Sequence, residues 1–94
     1  MESDFFVYIL ANVRGKSPVL YVGMTNDLPR RLSEHEMATT GFVAKYRVRT
    51  LVYVETASSP AAAIAREKQS KKWSRAKKLA LISAQNPAMR DLRM

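Results

Sequence analysis

The chain has 94 residues, which is enough for one modest hydrophobic core and too little for a second module. It has no cysteine and a single histidine, so a disulfide framework, a thiolate zinc centre and a multi-histidine metal site are all excluded. Sixteen Lys and Arg against eight Asp and Glu give a formal charge of +8, so the expected partner is a polyanion, most commonly nucleic acid. The same charge could also sit on a solvated helix and serve solubility alone.

Glu2 and Asp4 precede the first apolar run, which is the wrong charge for a secretory or transit signal. No stretch approaches the length of a membrane span, so no membrane partner is expected and the cytoplasm is the expected compartment. The segment FFVYILANV at 5–13 is rich in aromatic and β-branched residues, as is VLYVG at 19–23, and the turn signal RGKSP lies between them. The pair reads as a β-hairpin. A register that sets Tyr8 opposite Tyr21 puts both rings on one face and leaves Arg14 and Gly15 as a two-residue turn; a longer loop would shift it.

Asn26 or Asp27 then caps a helix with Pro29 in its first turn and Leu28 and Leu32 on its buried face. Arg31 lies about 60° from Leu28 on the helical wheel and Arg30 about 160° from it, so Arg30 is expected to face water and Arg31 inward or along the sheet edge. His35 follows Arg31 by one turn on the same side, where the two can converge. After a loop containing Gly41, RTLVYVE at 49–55 alternates and reads as a third strand.

SSP caps a helix beginning near Pro60, with Glu67 next to its packed side. A last helix, roughly Lys72 to Ala84, is expected to turn Trp73, Ala76, Leu79, Ala80 and Ile82 to the core, and Lys71, Arg75 and Lys78 to the other face. Asn86 and Pro87 stop it. The expected fold is α+β, a small three-stranded antiparallel sheet flanked by helices in the order β-β-α-β-α-α. It forms one domain over 1–94, with a core of about 4–85 and a tail at 86–94.

Tyr8, YVG at 21–23, Arg31 ten residues after Tyr21, His35 and Glu67 form a set that resembles the GIY-YIG nuclease superfamily. VYIL, YVGMTNDLPRRLSEH, AKY, LVYVE, AREKQSKKW and NPAMRDL match, in order, the pattern of its small stand-alone bacterial members. The resemblance assigns Tyr8 to the first motif, Tyr21 and Gly23 to the second, Arg31 to the catalytic arginine, His35 to a histidine of several branches and Glu67 to the metal-binding glutamate. Asn86 matches a polar residue that closes the site in some branches. Two positions depart from the pattern: Phe6 stands where the first motif has glycine, and Met24 where some branches have lysine.

These residue types suit phosphodiester hydrolysis. Arg31 can fork onto two phosphate oxygens. Glu67 is a hard oxygen donor for one Mg²⁺ or Mn²⁺, and the scarcity of carboxylates favours a one-metal mechanism. Tyrosine ordinarily titrates near about 10 and needs cationic neighbours to act as a base. Tyr21 is the first choice to accept or position the water's proton, Tyr8 to align water or phosphate, and His35 to relay a proton or hold a phosphate oxygen. Gly23 admits close backbone approach, and Asn26 at the helix start offers phosphate free N–H groups.

The basic run at 66–78 supplies Lys68, Lys71, Lys72, Arg75 and Lys78 as phosphate contacts. Singly, each residue has a plainer reading: Tyr8 and Tyr21 as sheet residues, His35 as a satisfied core histidine, Glu67 as the helical partner of Lys71, and Trp73 as core rather than a base-stacking residue. Two functions follow. One is an Mg²⁺-dependent endonuclease acting on nucleic acid, with DNA the expected substrate; the other is a non-catalytic nucleic-acid-binding module that keeps the nuclease fold.

Overall fold

A computed structural model describes residues 4–13 and 17–93. Strands β1 (Phe5–Asn12), β2 (Val19–Thr25) and β3 (Thr50–Ala57) form one antiparallel sheet in the order β2-β1-β3. Helices α1 (Leu28–Met37) and α2 (Gly41–Tyr46) lie between β2 and β3 in the chain, and α3 (Pro60–Lys72) and α4 (Arg75–Gln85) follow β3. The order is therefore β-β-α-α-β-α-α, with one helix more than the pattern predicts. That helix, α2, spans six residues, lacks a side-chain cap, and opens at Gly41 with φ of +87°. A segment of under two turns carries no readable helical period.

The central strand β1 is buried on both faces, and its alternation divides the core in two. Val7, Ile9 and Ala11 pack with Val22, Ala63 of α3 and Ile82 of α4. Tyr8 and Leu10 face the other way, against Leu32 of α1 and Val43 of α2. A β-bulge between Ile9 and Leu10 interrupts the pairing with β3. The strict alternation expected for this strand is thereby broken: Leu51 joins the Tyr8 side, while Val52 and Tyr53 are both on the Val7 side.

The hairpin register also differs from the expected one. Tyr8 pairs with Gly23 and Tyr21 with Leu10, a slip of two residues, and the last pair is Asn12 with Val19. Because side chains alternate with period two, this slip keeps both tyrosines on one face. The expected Arg14–Gly15 turn lies outside the described residues.

Local chemistry sets the helix starts. Asp27 caps α1 by accepting the Arg30 N–H at 3.2 Å, Ser59 caps α3 through Ala62 at 3.1 Å, and Ser74 caps α4 through Lys77 at 3.2 Å. The Ser74 cap starts α4 three residues later than predicted and leaves Trp73 as the C-cap of α3. Ile82 is the buried centre of α4, and Leu79 beside it is half-buried. Ala76 and Ala80, about 120° and 160° away on the wheel, are exposed rather than in the core.

The outer edge of β3 is covered by the end of α4 and the tail. The Gln85 amide accepts the Val54 N–H and donates to the Val54 carbonyl, and the Leu92 N–H donates to the Leu51 carbonyl at 2.8 Å. These bonds engage the edge groups of Leu51 and Val54 that another strand would otherwise pair with.

Candidate functional site

Gly23 makes the site possible, though not by admitting a ligand. A Cβ there would lie 2.5 Å from the Tyr8 hydroxyl oxygen and 2.6 Å from Cζ. The Tyr8 ring occupies this space, reaching across β2 toward α1, and Gly23 itself is buried. The Tyr8 hydroxyl meets His35 Nε2 at 2.8 Å. Tyr21 approaches the same imidazole edge-on, with ring centroids 5.4 Å apart and planes at 72°. Three elements, β1, β2 and α1, therefore bring Tyr8, Tyr21 and His35 together.

The electrostatics define how the Tyr8–His35 bond is made. Burial pushes the Tyr8 phenol above its ordinary value; the neighbouring Tyr21, Glu67 and Glu34 add to the shift and Arg31 opposes it. Burial lowers the His35 imidazole, helped by Arg31 and opposed by Glu34. Both groups are neutral near pH 7. The Tyr8 hydroxyl and His35 Nε2 share one hydrogen bond, whose direction follows the imidazole tautomer.

Arg31 and Glu67 stand within electrostatic reach of the Tyr8 hydroxyl. Of the two placements expected for Arg31, inward or along the sheet edge, the inward one is not taken. The side chain is 45% exposed and pairs loosely with Glu34 at 3.5 Å. An ion pair this open contributes little, so its guanidinium is only weakly engaged. Arg30 faces water, as its position on the wheel predicts. Glu67 is more covered, and its Oε2 lies 3.3 Å from Lys71 Nζ, the pairing that the i,i+4 spacing anticipates. Among the described residues no group of three or more His, Asp or Glu converges on a point.

The start of α1 differs from the phosphate cradle foreseen around Asn26. Asn26 is exposed, the Asp27 carboxylate takes the Arg30 N–H, and Pro29 has no N–H to offer. The Asp27 carboxylate thus already holds the position foreseen for an anion. Asn86, which the resemblance tied to closing the site, is buried against β3. It donates to the carbonyls of Val52 and Arg90 and accepts the Arg90 N–H, holding the tail in place.

The basic run divides by environment. Lys68 and Lys72 are exposed and make no ion pair among the described residues. Lys71 is engaged by Glu67, Arg75 donates to the Pro18 carbonyl, and Lys78 is half-buried. Trp73 is half-buried, with the Arg66 guanidinium carbon 4.8 Å and Lys77 Nζ 4.2 Å from its ring centroid. Both cations lie over its ring. Arg66 is in turn held by Glu55 through contacts of 2.9 and 3.1 Å.

Phe42 and Tyr46 on α2 were not foreseen. Phe42 lies 5.9 Å from Tyr21 between ring centroids, and Tyr46 lies 4.7 Å from Phe42. Their i,i+4 spacing was the available signal, masked by the shortness of the helix.

A central-strand tyrosine seated over a glycine, a second tyrosine on the neighbouring strand, and an arginine and histidine one helical turn apart define a GIY-YIG domain. Residues 4–80 match the GIY-YIG catalytic domain, and the chain belongs to this family. It is 40% identical over 87 residues to a UPF0213 protein of Natronomonas pharaonis, covering 88% of this chain and 95% of that protein. It is 42% identical over 89 residues to a UPF0213 protein of Syntrophus aciditrophicus, covering 90% and 95% respectively. No solved structure matches the chain significantly. No helix among the described residues is long and apolar enough to cross a membrane.

Proposed function

We propose that the protein is a divalent-metal-dependent endonuclease that hydrolyses phosphodiester bonds in nucleic acid, with DNA as its substrate. The observation that carries this reading is the convergence of Tyr8, Tyr21 and His35 at one spot, with Arg31 and Glu67 in electrostatic reach. A module that only bound nucleic acid would gain nothing from a carboxylate beside the phosphate, since the two repel unless a cation lies between them.

The residues present fit one hard cation. Glu67 would hold Mg²⁺ or Mn²⁺, and its pairing with Lys71 shows that the carboxylate accepts a positive group at this position. A single protein carboxylate suits an ion that keeps waters and takes phosphate oxygens for its other positions. When bound, the ion neutralises phosphate charge and acidifies water.

The chain's own groups do the rest. Arg31 exchanges Glu34 for two phosphate oxygens and stabilises the charge that grows on them. Tyr8, held protonated by burial and bonded to His35, aligns rather than abstracts. The Tyr21 hydroxyl makes no hydrogen bond among the described residues, which leaves it free to take or position the water's proton. His35 fixes Tyr8 and packs against Tyr21 with ring planes at 72°. One such site cuts one strand at a time.

The test is cleavage of plasmid, single-stranded and branched DNA, and of RNA, by the purified protein with Mg²⁺ or with EDTA, alongside Glu67→Ala prepared identically. Cleavage that needs the metal and disappears in the variant supports the reading. If both proteins bind nucleic acid and neither cuts, the binding-module function takes its place.

A further inference from the structure

Beyond the cluster of Tyr8, His35 and Tyr21, the aromatic groups continue onto the surface. Tyr21 touches Phe42, with planes tilted by 32°, and Phe42 touches Tyr46. Both α2 rings are large apolar groups left in water: Phe42 is 45% exposed and Tyr46 39%. Neither is needed to fill the core, because Val43 is the buried residue of this helix. Two adjacent exposed aromatic rings that join a phosphate site are what a nucleobase can stack on.

The charge around these rings has the matching sign. Lys45 Nζ lies 5.3 Å from the Tyr46 ring centroid, and Arg47 follows at the end of the helix. Beyond them opens a groove of about 690 Å³ lined by Asn12, Val13, Arg47, Arg49 and Thr50. The Asn12 side chain donates to the Tyr46 carbonyl at 2.8 Å, which ties the groove to the aromatic pair. A strand leaving the Tyr21 end of the site would thus meet first two rings and then two arginines.

We infer that Phe42 and Tyr46 form a stacking shelf for the bases of an unpaired strand, with Lys45, Arg47 and Arg49 receiving the phosphates that follow. The inference rests on the nucleic-acid reading above and adds the form of the substrate. Bases in a duplex have their faces covered by their neighbours, so a shelf of this kind engages single-stranded segments, loops or frayed ends.

The test uses the full chain in EDTA, so that binding is read without cleavage, and two probes: a fluorescent single-stranded oligonucleotide and the same sequence fully paired. The variant is Phe42→Leu with Tyr46→Leu, which keeps apolar bulk over Tyr21 and removes the π faces; Phe42→Tyr with Tyr46→Phe keeps them. The expected result is a loss of about tenfold or more in single-strand affinity for the leucine variant, with duplex affinity within about twofold and the aromatic variant near wild type. Unchanged single-strand binding, or equal losses on both probes, overturns the shelf and leaves the nucleic-acid reading standing. Failure of the wild type to bind either probe, both in EDTA and with Ca²⁺ in its place, overturns both.

Discussion

The Tyr8 hydroxyl and His35 Nε2, 27 residues apart in sequence, meet at 2.8 Å in the interface between β1 and α1. Burial makes the phenolate and the imidazolium both costly, and the hydrogen bond is satisfied when neither forms.

The first prediction follows from the sign of these shifts. The folded His35 titrates below its ordinary value of 6.5, so between the two values the unfolded chain binds a proton that the native state does not. Stability contributed by neutral His35 is present above about 6.5 and is lost as pH falls toward the folded value. Urea denaturation of wild type and His35→Gln should show the advantage of the wild type shrinking between neutral pH and about pH 5. A gap that stays constant would mean that His35 does not change protonation on unfolding.

Tyr8 and Tyr53 supply the converse at high pH. Both phenols are raised in the fold, Tyr8 chiefly by burial and Tyr53 by burial and its bond to Glu55, so their stabilising contribution persists below the ordinary value of 10.0 and is lost as pH climbs past it. Ultraviolet titration should show Tyr8 and Tyr53 ionising above the ordinary value of 10.0. Complete ionisation near the ordinary value with the fold intact would contradict the packing of both rings.

Gly23→Ala drives a methyl into the Tyr8 ring, so it should destabilise the protein by about 1–3 kcal/mol and weaken any cleavage by displacing Tyr8. In a Tyr8→Ala background the same substitution should cost almost nothing, because the clash is with that side chain. Denaturation of the four members of this cycle measures the coupling; additive effects would place the strain elsewhere.

Asn86→Ala should act on stability and not on nucleic acid. It removes three hydrogen bonds that fasten residue 90 and the β3 edge, leaving the Val52 and Arg90 carbonyls and the Arg90 N–H without this partner, at a cost of about 2 kcal/mol or more. Affinity for an oligonucleotide, measured below the melting transition, should match wild type.

The basic residues should separate by what they touch. Lys68→Ala and Lys72→Ala should each lower the slope of log affinity against log salt by about 1, because each removes an exposed cation. Lys77→Met should instead change the fluorescence of Trp73 and leave that slope alone, since this ammonium lies over the indole. A uniform response of all three would mean that the face binds as diffuse charge.

The three strands and the starts of α1 and α3 were legible in the sequence. Alternation, Asp27 and Ser59 act over a few neighbouring residues, so their consequences can be read locally, whereas the Ser74 cap and α2 were not foreseen. Tertiary structure alone decided which residues meet. The hairpin register set Tyr8 over Gly23 instead of opposite Tyr21, and the bulge in β3 put Val52 and Tyr53 on one face. It also decided which charges are free: the spacing of Lys71 to Glu67 was legible, but the sharing of Trp73 between Arg66 and Lys77 was not. The protonation of Tyr8 and His35 belongs to the same class, because desolvation comes from strands and helices distant in the chain, and no local pattern encodes how deeply a hydroxyl will be buried.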